Sequence, residues 1–168
     1  IRQFILQFAK QNHIKPYDEQ KHKGLLRHIY IRQAKVTGEI MVCVVINGNT
    51  IPNSEELTEM LKEVGGFKTL VVNINRENTN VVLGDTCTAL YGDGYITDIL
   101  CGVKIKLSPL SFYQVNRDGA ELLYSLAARL GDFKGDETLL DLYCGTGTIG
   151  LSVAHKVKSL VGIEIVEA

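Results

Sequence analysis

Residues 138–166 carry the pattern that most narrows the folds open to this chain: TLLDLY, then CGTGTIG, then LSVAHKVK, then SLVGIEIV. A short apolar run, a glycine-rich turn, a helical run and a β-branched run make strand–turn–helix–strand. That is a βαβ unit, in which a right-handed crossover joins two parallel strands. Gly145, Gly147 and Gly150 satisfy G-x-G-x-x-G. Glu164 ends the second strand, near the spacing of a ribose-binding carboxylate. Glycines in such a turn let the backbone bend tightly and approach a ligand, and the acid accepts hydrogen bonds from ribose hydroxyls.

Two ligands compete for a turn of this kind, a dinucleotide and S-adenosyl-L-methionine. Asp141, four residues before Gly145, discriminates between them. A carboxylate at the mouth of the turn repels a pyrophosphate and suits a ligand with a ribose, an ammonium and a sulfonium. The Coulomb difference is on the order of a few kcal/mol at an effective dielectric near ~20. Asp141 and Glu164 are therefore the expected acidic anchors of a methyl-donor site. Tyr143 is expected either against the cofactor or in the core. Cys144 lies in the same turn with no base beside it in sequence, so a small, non-nucleophilic thiol is the expectation there.

Upstream the pattern differs. Phe4, Ile5, Phe8 and Ala9 form one helical stripe within 1–14. Residues 14–24 read as a polar loop, 25–35 as an alternating strand and 39–48 as a more buried one. Ser54 is the expected N-cap of a helix with Leu57, Leu61 and Val64 inward and Gly65-Gly66 as its stop. A strand follows at 67–76, and short strands broken by glycines fill 81–107. This predicts an α+β domain over 1–107 with mostly antiparallel strands, then a truncated Rossmann-like domain over 108–168. In the second domain a helix near 118–130 is expected to turn Ala120, Leu123, Leu126, Ala127 and Leu130 inward. The strand at 138–143 is expected to be short and buried.

Composition excludes several classes. Hydrophobic residues at 45% and charged residues at 22% exclude wholesale disorder. No apolar run approaches the ~18 residues of a membrane span, and IRQFILQFAK is no signal peptide, so a cytoplasmic setting is expected. The missing initiator Met suggests a start inside a longer protein. Cys43, Cys87, Cys101 and Cys144 lack ligand spacing and are expected as free, mostly buried thiols, with no metal site. The net charge of -1 hides a basic stretch. Within 1–35, Arg2, Lys10, Lys15, Lys21, Lys23, Arg27, Arg32 and Lys35 face only Asp18 and Glu19, the balance a phosphate backbone seeks.

Just ahead of the helix near 118 stands Ser111-Phe112-Tyr113-Gln114-Val115-Asn116. An aromatic beside two amides suits an extruded pyrimidine, stacked and hydrogen-bonded at its edge. SFYQVN, then DLYCGTGTIG with its Tyr 29 residues after Gln114, then VGIE with its Glu 21 residues further, together resemble the RNA uracil-5-methyltransferase family. The resemblance is strongest over 105–168, extends to 21–48, and is closest to the bacterial 23S rRNA branch rather than the tRNA branch.

That resemblance implies S-adenosyl-L-methionine as methyl donor, with Gln114, Tyr143, Thr148 and Glu164 contacting it and Asp141, Gly145 and Gly147 shaping its loop. It puts Phe112 and Asn116 on the substrate side and residues 1–107 against RNA. In the implied chemistry a Cys thiolate adds to uracil C6, C5 takes the methyl group, and a base removes the C5 proton. The family's nucleophilic Cys follows a D-P-P-R-type segment, and its general-base Glu comes later; neither segment is in these 168 residues. No catalytic residue is therefore expected in this chain, which should be inactive alone. The [4Fe–4S] cluster ligands of the ribosomal branch, C-x5-C-x2-C, are likewise not in it. Two rival readings are a dinucleotide-binding dehydrogenase fragment and a non-catalytic RNA-binding module. Two parallel strands alone would leave apolar surface open, so self-association through the C-terminal part is expected.

Overall fold

The computed structural model describes residues 1–165. The chain forms two compact units: Ile1–Ile96 with Ser108–Leu110, and Thr97–Leu107 with the chain from Ser111 on. Among the described residues no helix is long and apolar enough to cross a membrane.

The first unit is built on a four-stranded sheet. Its strands are β1 (Leu26–Gln33), β2 (Ile40–Ile46), β3 (Phe67–Ile74) and β4 (Thr86–Tyr91), side by side in that order. β1–β2 and β3–β4 are antiparallel and β2–β3 parallel, so the sheet is mostly antiparallel, as expected. The parallel pair needs a crossover, and α2 (Ser54–Lys62) supplies it. β2, IMVCVVI, is buried at every position, which explains its unbroken apolar run. α1 (Arg2–Gln11) and α2 bring Ile5, Phe8, Leu57 and Leu61 onto Val42, Val44, Ile46, Leu70 and Val72. Each such buried side chain is worth about 1.5–3 kcal/mol of transfer free energy. Both helices present the expected stripes, with Phe4 and Val64 packed at the edge of this core.

The start of α2 differs from expectation. Its N-cap is Asn53, at φ 52°, and Ser54 is already helical. Asn tolerates the left-handed region better than Ser. The Asn53 amide is turned away to donate to Asn12 Oδ1, so it makes no cap bond. Glu55 and Glu56 in the first turn offset the exposed helix N–H groups electrostatically.

The second unit contains β5 (Ile96–Leu100) from Thr97 on and β6 (Val103–Leu107), a hairpin turning at Cys101-Gly102. It continues with α3 (Arg117–Leu130), β7 (Thr138–Leu142), α4 (Thr148–Val153) and β8 (Ser159–Ile163). β7 and β8 pair in parallel, Thr138 to Ser159 through Leu142 to Ile163, which is the expected βαβ unit. The strand expected over 159–166 ends at Ile163, and residue 166 lies outside the described residues. A division at 107/108 was the expectation. The hairpin instead groups with α3, because α3 side chains bond its backbone at Ile99 and Cys101.

Two burial expectations fail in this unit. α3 turns Ala120, Tyr124 and Ala128 inward, while Leu123, Leu126, Ala127 and Leu130 are exposed. The helix has apolar residues around most of its circumference, so periodicity alone does not select a face. The phase is set by Tyr124, whose hydroxyl approaches α4. β7 is alternately half-buried and exposed rather than buried, with Leu140 and Leu142 open to solvent. On β8, Val161 and Ile163 are also exposed. The expected apolar patch is therefore present.

Candidate functional site

The glycine turn between β7 and α4 is built by three residues at positive φ: Tyr143 (59°), Gly145 (53°) and Gly147 (74°). A Cβ on Gly145 would meet no heavy atom within 4 Å, so this glycine answers a conformational need and leaves open space before it. Gly150 and Gly162 answer a packing need. A Cβ on Gly150 would lie 2.7 Å from Asp141 Oδ2 and 2.8 Å from the Leu160 side chain. One on Gly162 would lie 3.0 Å from Cys144 Sγ. The third glycine of the motif thus seats α4 on the strands.

Both expected acidic residues engage this turn. Asp141 Oδ2 accepts from Gly150 N at 2.9 Å, and Asp141 is half-buried. One oxygen is committed to pinning α4 to β7, in keeping with a residue that shapes the loop. A carboxylate is stabilised there because the first N–H groups of a helix lack backbone partners. Glu164, just past β8, bridges back to the loop: its Oε2 accepts from Gly145 N at 2.8 Å and its Oε1 from Ile165 N. The Gly145 amide in the loop and the Gly150 amide in the first turn of α4 are therefore satisfied by the chain's own carboxylates.

The other expected donor-site residues divide. Tyr143 is 88% exposed, which removes the core alternative. Its positive φ is unusual for a bulky residue and holds the ring clear of the sheet. The Thr148 hydroxyl is 3.4 Å from Tyr124 OH. Gln114 is exposed and lines an open cavity of about 470 Å³ with Ala120, Leu123 and Tyr124. Phe112 is 72% exposed. Asn116, expected on the substrate side, is the N-cap of α3, its Oδ1 accepting from Gly119 N at 3.1 Å. A side chain that caps a helix is held at the helix end, so Asn116 has a structural role there. Tyr113 points inward to Asp98 and Tyr124 faces Thr148; SFYQVN contains Tyr113 without giving it a role, and no periodicity marks Tyr124.

Of the four free thiols only Cys43 is buried, which corrects the expectation that most are. Its burial pushes the thiol up to about 12. Cys101, at the hairpin turn, is also raised by burial and by the Glu121 charge. Cys144 donates its N–H to Ile163 O, and its thiol lies 3.8 Å from Gly145 O. Among the described residues no group of three His, Cys, Asp or Glu side chains is placed to hold a metal ion.

The basic stretch is also partly spent internally. The Arg27 side chain is only 1% exposed. It donates to Asn75 O, Asn75 Oδ1, Glu77 O and Thr79 O at 2.8–3.0 Å and stacks on the Tyr17 ring. Arg32 donates to Tyr30 OH and Ser108 O, and Lys21 pairs with Asp18. Arg27 in particular is a clamp between loops, because a guanidinium satisfies several carbonyls at once. A count of cations in sequence does not reveal depth.

No family model matches the sequence. The chain is 41% identical over 167 residues to an uncharacterized RNA methyltransferase of Halalkalibacterium halodurans, covering 99% of this chain and 36% of that protein. It is 42% identical over 163 residues to one of Lactobacillus johnsonii, covering 97% and 36%. The chain thus spans about 36% of the length of these relatives. Among solved structures it is similar to the tRNA (uracil-54, C5)-methyltransferase of Pyrococcus abyssi, crystallised with S-adenosyl-L-homocysteine. That likeness has a TM-score of 0.78 and 26% identity and covers 96% of this chain and 38% of that one. Over nearly its whole length, then, the chain is similar in sequence to parts of proteins named RNA methyltransferases, and in fold to part of a uracil-C5 methyltransferase.

Proposed function

We propose that the chain is the donor-binding part of an S-adenosyl-L-methionine-dependent RNA methyltransferase acting on C5 of uridine. One observation carries the donor assignment. The amides of Gly145 and Gly150, the groups a pyrophosphate would seek, are already bonded to Glu164 and Asp141. No Lys or Arg lies within residues 141–150 to replace them. A loop lined by its own carboxylates disfavours a dinucleotide and suits a cationic ligand with ribose hydroxyls. S-adenosyl-L-methionine fits that donor set and supplies, when bound, a methyl group activated on a sulfonium.

The chain's own residues would act as follows. Glu164 accepts from ribose hydroxyls, Gly145 leaves room for close approach, and Tyr143 offers an exposed ring face. Gln114 offers an amide and Phe112 a stacking surface for an unstacked base. Asp141 holds the loop in shape. None of the 168 residues is assigned the nucleophile's role, and Cys144 is read as a packing residue against Gly162.

Calorimetric titration tests the donor reading. S-adenosyl-L-homocysteine is expected to bind and NAD not; tight binding of NAD alone would overturn it. RNA containing 5-fluorouridine, incubated with chain and cofactor, is expected to give no covalent adduct. An adduct lost on Cys144→Ala would overturn the reading of that thiol. For the substrate we favour 23S rRNA, on the likeness of SFYQVN and DLYCGTGTIG to the ribosomal branch. The Pyrococcus structure favours tRNA as the second reading. Incorporation of labelled methyl groups into 23S rRNA or tRNA transcripts by the full-length Halalkalibacterium relative separates the two.

A further inference from the structure

The segment Ser111–Asn116 presents Phe112 and Gln114 on its outer side, and its direction is fixed from the inner side. Tyr113 OH donates to Asp98 Oδ2 at 3.0 Å. Four residues later, Arg117 donates to Ile99 O from Nη2 at 2.8 Å and from Nε at 3.2 Å. Four residues later again, Glu121 Oε1 accepts from Cys101 N at 2.9 Å, while the Arg117 guanidinium grips both Glu121 oxygens at 2.7 and 3.1 Å. All three attachments reach β5 and the turn that ends it.

Asp98 is 1% exposed. A carboxylate at that depth is costly without its donors, so it holds the Tyr113 hydroxyl firmly. Burial and the Asp98 bond push the Tyr113 phenol up to about 12, so it stays a donor at neutral pH. In extended chain successive side chains point to opposite sides. With Tyr113 locked inward, Phe112 and Gln114 are directed outward.

We infer that Tyr113, backed by the α3 residues Arg117 and Glu121 that bond the β5–β6 hairpin, is a positioning residue that sets Gln114 for the methyl donor. This rests on the donor reading of Gln114 given above. It gives the hairpin a task distinct from the four-stranded sheet: a rigid template for the segment that meets the ligand.

A double-mutant cycle tests it, by calorimetry of the whole chain with S-adenosyl-L-homocysteine. Tyr113→Phe and Gln114→Ala are each expected to weaken binding about tenfold, and the pair no more than about twofold beyond Gln114→Ala alone. Additive losses, or no loss in Tyr113→Phe, would overturn the inference. If the unaltered chain does not bind, the donor reading fails, and a second measurement still decides the positioning. The chain has no Trp, so Phe112→Trp is a single reporter. Its fluorescence anisotropy is expected to fall when Tyr113→Phe is added while the far-ultraviolet circular dichroism is retained. Unchanged anisotropy overturns the inference whatever the ligand result.

Discussion

β2 and β7 are both short apolar strands, and the structure treats them in opposite ways. IMVCVVI is buried at all seven positions, whereas TLLDL leaves Leu140 and Leu142 exposed. The difference lies in what packs on them. β2 runs between two hydrogen-bonded strands with α1 and α2 over one face of its sheet, while β7 has one strand partner among the described residues. Burial is a property of the assembled layers, so two strands of similar composition contribute very differently to stability.

Paired substitutions put the largest strain on that contrast. Leu61→Ala empties a fully buried site and is expected to cost about 2–5 kcal/mol in urea unfolding. Leu140→Ala, at an exposed site, should change stability by less than about 0.5 kcal/mol. Comparable losses would show that β7 is covered in solution. A smaller effect is expected at the glycine turn. Gly150→Ala would ordinarily favour a helix, yet here its Cβ strikes Asp141 Oδ2 and Leu160. A net loss of about 1–3 kcal/mol in a thermal melt is the expected sign; a gain would refute the tight seat of α4.

Asn116→Ala should cost about 1 kcal/mol through the lost cap of α3, with Asn116→Asp close to neutral. Equal losses in both variants would point away from capping. The Tyr113 phenol gives a still smaller, pH-dependent effect. Burial and the Asp98 bond push its pKa up to about 12, above the ordinary phenol value near 10. The protonated phenol therefore stabilises the fold fully below about pH 10, and that contribution fades as pH rises through about 12. Ultraviolet titration of the chain against its Tyr113→Phe variant should show one tyrosine titrating late; an ordinary titration would break the Asp98 bond as drawn. We also propose weak self-association through the exposed apolar side chains of β7 and β8, Leu140, Leu142, Val161 and Ile163. Sedimentation velocity should show it concentration-dependent and reduced by Leu142→Lys, whereas a clean monomer at high concentration would dismiss it.

Much of the fold was legible because the signals are local. Period and glycine punctuation located α1, β1, β2, α2, β3 and the β7–α4–β8 unit to within a few residues. The glycine motif with Glu164 located the candidate site, and Gly145 and Glu164 do meet, 19 residues apart. Legibility failed where the deciding partner is not local. Ser54 looked like a cap until Asn12 is seen holding Asn53. The bond from Gly150 N that holds Asp141 spans nine residues and has no mark in the sequence. Arg27 looked like a surface cation, yet its acceptors lie 48–52 residues away.

By itself, then, the sequence determined which segments are helices and strands and where the chain turns on glycine. Backbone preference and side-chain period act over a few residues and are written into them. Only the tertiary structure decided which face of α3 turns inward, which cations and carboxylates are spent on the fold, and that Tyr113 faces Asp98 while Phe112 and Gln114 face out. Those choices depend on desolvation and hydrogen bonding between elements far apart in the chain, and such energies exist only once the elements have met.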